Sequence, residues 1–264
     1  MLVKIAYHKI LNYGIKFFKF DYNIDTTLGT ETNSDSFGDG LLEHSKAYLK
    51  WVDSLYEIYP DLTIENCASG AMTMDYSSLR HFSIQSVSDA AFYDEFAHMN
   101  AMAPTALIPE QTGIWVVTHP NRSVNQNAFA AVNGMLNRMY LSGRIDKVDD
   151  ESFANLKEAV KCYKEIRQDI HGSLPFFTDE LSHYKDEWVS AMRLSGDKKT
   201  LYVTAGRLES ETEEIKIDLS AVLGVKKNPE VIFPKNVGNI SLCNETLSVS
   251  LPAHSALLLK IDIT

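Results

Sequence analysis

"IKFFKFDYNID", residues 15–25, is a run of apolar and aromatic residues that stops on Asp21 and gives way to a polar loop. Lys16 and Lys19 interrupt the run without breaking its strand-like composition. An Asp at a strand end most often caps a turn or a helix start. At the carboxyl end of a parallel-barrel strand, the same position is where enzymes mount catalytic groups. Which reading holds depends on what the flanking sequence builds around Asp21.

Upstream, "LVKIAYHKILNYG" (2–14) reads as a helix stopped by Gly14. Downstream of a strand at about 15–21 comes the turn-rich loop "TTLGTETNSDSFGDG" (26–40). A helix over about 41–58 follows, with Leu41, Tyr48, Leu49, Val52, Leu55, Tyr56 and Tyr59 at helical spacing and Pro60 as its stop. "LTIENC" (62–67) and "FSIQSVSD" (82–89) read as strands, and "TALIP" (105–109) and "MYL" (139–141) as weaker ones. An apolar helical pattern at 126–137 separates the last two. The clearest helix lies within 149–172, with acidic residues in its first turn, a stripe of Phe153, Leu156, Val160, Tyr163 and Ile166, and Gly172 as its stop. Alternation of this kind predicts a parallel sheet with helices packed on it. After about residue 178 the texture changes to short alternating strands such as "KTLYVTAGRL" and "SALLLKIDI", broken by Gly, Pro, Asn and Asp. That pattern predicts an antiparallel β-sandwich. The expected domains are therefore 1–178 (α/β) and 179–264 (β).

The bulk numbers narrow the function classes. The chain has 264 residues, 45% of them hydrophobic and 23% charged, with a formal net charge of −10. That charge argues against nucleic acid or an anionic membrane surface as the main partner, since both call for basic patches. No apolar stretch approaches a membrane span, and the first residues do not form a signal core. Three distant cysteines, Cys67, Cys162 and Cys243, suit a reducing compartment, so a cytoplasmic location is expected. The three Asn-x-Ser/Thr sequons, at Asn121, Asn239 and Asn244, then read as chance. No metal or cofactor is expected. The histidines are scattered, "TETNSDSFGDG" lacks calcium-loop spacing, and there is neither a phosphate-binding Gly-Lys-Ser/Thr nor a dinucleotide fingerprint.

Three strand ends carry reactive groups: Lys19 and Asp21, then Glu65, Asn66, Cys67, Ser69 and Gly70, then Ser88 and Asp89. If these strands are parallel, their carboxyl ends share one face and Asp21 can meet Asp89. Two carboxylates flanking a glycosidic bond are the minimal machinery of sugar hydrolysis. Lys19, two residues before Asp21, points to the same side of its strand. The plainer alternatives stand beside this reading: Asp89 as an acidic helix start, and Glu65 as a strand-end charge.

"FFKFDYN" (17–23), "FGDG" (37–40), "ENCASG" (65–70) and "VSDAAFYD" (87–94) resemble, in order and spacing, the core motifs of the glycoside hydrolase family 36 α-galactosidases (melibiases). The similarity continues through "PEQTG" and "CYKEIR" into the β region. The resemblance implies an incomplete (β/α)8 TIM-type barrel, about strands 4 to 8, followed by a small antiparallel β-sandwich. It implies a retaining α-galactosidase with Asp21 as nucleophile and Asp89 as acid/base. Substrate binding then falls to Lys19, Asn23, Cys67, Ser69, Gly70 and Ser86, the substrate being an α-galactoside oligosaccharide. Where the family usually has a Trp, three residues before the acid/base, this chain has Ser86, so that pocket wall is open or supplied from elsewhere. Trp115 is the candidate replacement platform, while Trp51 reads as packing. Family enzymes also carry barrel strands ahead of the nucleophile strand. The resemblance is thus to a C-terminal portion, and a homo-oligomer or a complementing N-terminal segment is the expected partner. Two rival readings remain: an α-N-acetylgalactosaminidase of the same family, and a non-catalytic sugar-binding or assembly module.

Overall fold

Helix α1 (Leu2–Tyr13) ends as expected at Gly14, whose φ of 63° takes the left-handed turn that lets the Gly14 N–H reach the Ile10 carbonyl. Strand β1 (Phe17–Asp21) follows, then a single helical turn, α2 (Thr27–Thr30), and the long helix α3 (Asp39–Ile58). Strand β2 (Thr63–Cys67), the turn α4 (Tyr76–Leu79) and strand β3 (Ile84–Ser86) complete the first of two units, Met1–Asp89. The computed structural model describes residues 2–23, 27–177, 182–222 and 228–263.

In the first unit the three strands pair in parallel in the order β1-β2-β3. The register sets Lys19 beside Glu65 and Asp21 beside Cys67. Side chains alternate across a strand, so Lys19, Asp21, Glu65 and Cys67 occupy one face of the ladder. The other face is apolar. Phe18 and Phe20 pack there with Ile64, Leu62, Phe82 and the α3 residues Val52 and Leu55. Phe20 stacks on Trp51 with ring centroids 5.4 Å apart, so Trp51 is a packing residue, as its helical position suggested.

The second unit, Ala90–Thr264, begins with α5 (Tyr93–Met102), β4 (Thr112–Thr118), α6 (Val124–Gly134), β5 (Arg138–Gly143) and α7 (Asp150–Ile170). Strands β4 and β5 pair in parallel. Here one expectation fails. "TALIP" is not a strand, because Pro104 opens a 3-10 turn over Ala103–Thr105 and Pro109 leads into a turn closed by Gln111 N–H on the Ile108 carbonyl. The strand is β4, "TGIWVVT", seven residues later. Trp115 therefore sits in mid-strand opposite Tyr140.

Among the described residues eight short strands follow β5: β6 (Leu174–Phe176), β7 (Trp188–Leu194), β8 (Thr200–Arg207), β9 (Glu214–Asp218), β10 (Glu230–Phe233), β11 (Asn239–Cys243), β12 (Thr246–Ser250) and β13 (Ser255–Asp262). They form two antiparallel sheets, ordered β10-β13-β8-β7-β6 and β11-β12-β9. One core of Leu201, Val203, Leu257 and Leu259 with Ile217, Leu247 and Val249 draws on both sheets. The opposite face of the larger sheet, through Tyr202, Ala256 and Leu258, joins Phe129, Leu136 and Ala159 of the helical layer. The antiparallel sheet already begins at Leu174, and the expected domain boundary at 178/179 lies outside the described residues. No described helix is long and apolar enough to cross a membrane.

Candidate active site

The face of the first unit that carries Lys19, Asp21, Glu65 and Cys67 is built by register alone, and the loops beyond the strand ends finish it. The Tyr22 N–H donates to the Cys67 carbonyl at 2.7 Å, extending the β1–β2 ladder past Asp21. Asn23 Oδ1 then accepts from the Ser69 N–H at 2.6 Å and lies 3.2 Å from Ser69 Oγ, tying the two strand-end loops together. This fixes Asn23 and Ser69 against each other.

Ser69 and Gly70 turn the chain back with positive φ values of 47° and 83°. The turn brings Gly70 into an antiparallel bridge with Ser88. A Cβ at position 70 would stand 2.5 Å from Ser88 Cα, so only glycine lets the 87–89 segment come this close. The result is convergence. One carboxylate oxygen from Asp21, one from Asp89 and Cys67 Sγ all lie within 4.8 Å of one another. The Cys67 thiol faces Asp89 Oδ1 at 3.9 Å and accepts from the Gly70 N–H at 3.3 Å. Asp21 and Asp89 are exposed, while Cys67 is buried.

Beneath these groups the face is buried. Glu65 is 2% exposed, and its Oε1 accepts no hydrogen bond, with Lys19 Nζ 3.9 Å away. Burial pushes the Glu65 carboxyl above its usual range; Lys19 opposes that rise and the nearby Asp21 and Asp89 charges add to it. Burial likewise raises the Cys67 thiol. Ser86, on β3, is fully buried, and its hydroxyl beside the Glu65 carboxyl works against the rise that burial causes. The layer behind is held by Asn66, whose amide donates to Gln85 at 2.7 Å, while Gln85 donates to the Gly70 and Ser86 carbonyls.

Lys19, Asp21, Asn23, Cys67, Ser69, Gly70, Ser86 and Asp89 thus belong to this one unit, on the strand ends or their turns, whereas Trp115, the candidate sugar platform, lies in mid-strand on β4 of the second unit. What the sequence did not single out is an aromatic groove of about 750 Å³ that shares Asn23 and Ser69. Tyr22 stacks on Tyr48 at 4.8 Å, and its hydroxyl meets His44 Nε2 at 2.7 Å. Burial lifts the Tyr48 hydroxyl to about 12. The only trace of the groove in the sequence is the spacing of His44 and Tyr48, one helical turn apart on α3.

Comparisons with known proteins agree with this architecture. The Melibiase family profile matches residues 3–172. None of the curated protein sequences matches this chain. Among solved structures, the chain is similar to the GH36 α-galactosidase AgaA A355E from Geobacillus stearothermophilus in complex with 1-deoxygalactonojirimycin. The identity is 15% and the TM-score 0.78, covering 100% of this chain and 38% of that one. The galactosidase domain of the α-galactosidase–sucrose kinase AgaSK gives 18% identity and a TM-score of 0.73, covering 100% and 36%. The α-galactosidase from Lactobacillus brevis gives 15% and 0.76, covering 100% and 37%. The chain therefore spans little more than a third of the length of these structures, and at such identities they speak for the fold. The profile match extends over more than half of the sequence, and the chain belongs to the Melibiase family.

Proposed function

We propose that this chain carries the hydrolytic centre of a retaining α-galactosidase acting on terminal α-linked galactose of oligosaccharides. The observation that carries the reading is the convergence of Asp21 and Asp89, with carboxylate oxygens within 4.8 Å. Retaining glycosidases hold their two carboxyl groups about 5–5.5 Å apart, against about 6.5–9.5 Å in inverting ones. In the proposed mechanism an Asp21 oxygen attacks the anomeric carbon as Asp89 passes its proton to the departing oxygen. Asp89 then takes a proton from the water that releases the sugar, restoring both groups. Lys19 holds positive charge on the same face and is available to a sugar hydroxyl. Cys67, Ser69, Gly70 and Asn23 form the rim, and Ser86 lies in the wall. The solved structure of AgaA A355E D548N was obtained in complex with raffinose, a galactoside of the kind proposed here.

The same reading assigns 1–178 to about strands 4 to 8 of a (β/α)8 barrel and 179–264 to an antiparallel β-sandwich, in a cytoplasmic enzyme. It also requires a partner. β1 pairs with β2 on one side, and among the described residues of its unit no strand covers its other edge. A second copy or an N-terminal segment of barrel strands is the partner that fits a bare parallel edge. A second reading, an assembly module without turnover, rests on that same open edge. The decisive experiment is hydrolysis of an aryl α-galactoside by the chain beside its Asp21→Asn variant. Turnover lost in the variant supports the nucleophile assignment. A folded chain with no turnover, alone and with the complementing strands supplied, sinks the catalytic reading.

A further inference from the structure

The aromatic groove beside the strand ends takes no part in the two-step hydrolysis, and its lining indicates what it can hold. It has a volume of about 750 Å³, and Tyr22, His44 and Tyr48 make its aromatic wall. Small-molecule sites use cavities of about 300–1,000 Å³. The wall is set in advance. Tyr22 and Tyr48 stack with ring centroids 4.8 Å apart and planes 18° from parallel, and the Tyr22 hydroxyl meets His44 Nε2 at 2.7 Å. Side chains already locked together lose little freedom when a ligand lies against them.

The rest of the lining is polar and nearly uncharged. Asn66 Nδ2 donates to Thr73 Oγ1 at 3.2 Å, and both residues line the groove. Asp75 is the one carboxylate among the described lining residues, and it caps α4, accepting from the Ser78 N–H at 3.0 Å and from the Ser78 hydroxyl at 3.1 Å. Neither lysine nor arginine is among those residues. A phosphorylated or carboxylated ligand calls for such cations. Fixed aromatic faces beside neutral amide and hydroxyl groups suit a neutral polyhydroxylated ring instead.

The position of the groove names its occupant. Tyr22 follows Asp21 and, by strand alternation, turns to the opposite side, toward Tyr48 on α3. The groove and the carboxylate face therefore meet only at the rim, where Asn23 and Ser69, clasped by a 2.6 Å hydrogen bond, belong to both. We propose that the groove is the leaving-group subsite. With a terminal galactose at Asp21 and Asp89, the sugar units beyond the scissile bond cross Asn23 and Ser69 and lie against Tyr22 and Tyr48. His44 is a positioning residue, since it holds the Tyr22 ring. This assignment rests on the proposed function and narrows its substrates to α-galactosides with several further sugar units.

The test is a calorimetric titration of the full chain, carrying Asp21→Asn so that bound sugar is not cleaved, with stachyose and with methyl α-galactoside. Stachyose is expected to bind about tenfold tighter. Ser45→Trp, which fills the groove from an exposed lining position on α3, is expected to abolish that difference and to leave methyl α-galactoside binding unchanged. Should Ser45→Trp fail to fold by circular dichroism, His44→Ala takes its place, with the same loss expected from a released Tyr22 ring. Equal affinities for the two sugars, binding of neither, or a stachyose preference that survives the groove variant overturns the subsite. Turnover of an aryl α-galactoside by the parent chain separates this inference from the reading beneath it. Turnover without a length preference removes the groove and keeps the catalytic pair, whereas a length preference without turnover keeps the groove and removes the catalytic reading.

Discussion

Gly70 shows how much of this site depends on one missing methyl group. Its φ of 83° and the 2.5 Å approach of a built Cβ to Ser88 Cα leave a side chain nowhere to go. Gly70→Ala is expected to destabilise the chain by about 1–3 kcal/mol from backbone conformation alone, and more if Ser88 cannot shift. Urea denaturation measures it; an unchanged midpoint contradicts the close approach. Glu65 supplies a pH prediction. Burial raises its carboxyl in the folded state, so the folded chain holds that proton more tightly than the unfolded one. Stability contributed there is present at low pH and declines as pH rises from about 4.3, the ordinary glutamate value, through the raised folded value. Glu65→Gln is expected to remove that decline and to leave the chain more stable than the parent at neutral pH. A parent whose stability has the same pH slope as the variant across this window refutes the assignment.

At the scale of elements, the second unit is pinned by a buried polar chain. Arg193 on β7 is 1% exposed and donates from Nη2 to Asn137 Oδ1 at 2.8 Å, while the Asn137 amide donates to Asn100 Oδ1 on α5 at 2.6 Å. Burial lowers the guanidinium to about 10, a sign of how little water reaches it. Its Nη1 already lacks a hydrogen bond. Asn137→Ala strips the cation of its side-chain acceptor and is expected to cost about 2–3 kcal/mol. A loss below half that, read by thermal or denaturant unfolding, would show that the contact contributes little. The network was invisible in sequence, where Asn100, Asn137 and Arg193 are isolated polar residues. Helix α6 itself was legible, and its start is fixed by a capping box in which Ser123 accepts from the Gln126 N–H and Gln126 accepts from the Ser123 N–H.

For the molecule as a whole, the edge of β1 that no strand among the described residues of its unit covers sets the expectation. Phe17, on the carboxylate-bearing face of that strand, is 47% exposed, and Ile15 just before it is 36% exposed. An apolar strand edge in water is an association surface. The chain is expected to sediment as more than a single copy, and Phe17→Lys to shift it toward the monomer. A parent chain that is monomeric at every concentration tested would sink self-association and leave a complementing segment as the remaining partner. The galactosidase reading is then tested on whichever assembly the sedimentation reveals.

By itself the sequence pointed to α1, β1, α3, β2 and β3 of the first unit and to the change to short antiparallel strands near the end, and it singled out the motif residues from Lys19 to Asp89; the single turns α2 and α4 it did not show. Those readings rest on local properties: hydrophobic period, helix stops, turn residues and short motifs. Strand β4 escaped because prolines and a glycine blur its edges, while "TALIP" mimicked a strand that Pro104 and Pro109 forbid. Only the tertiary structure decided that Asp21, Cys67 and Asp89, separated by 46 and 22 positions, share one point in space. That convergence comes from register, Lys19 with Glu65 and Asp21 with Cys67, and from the Gly70–Ser88 bridge. Register and bridges are pairings between distant segments, and no window of residues along the chain contains them.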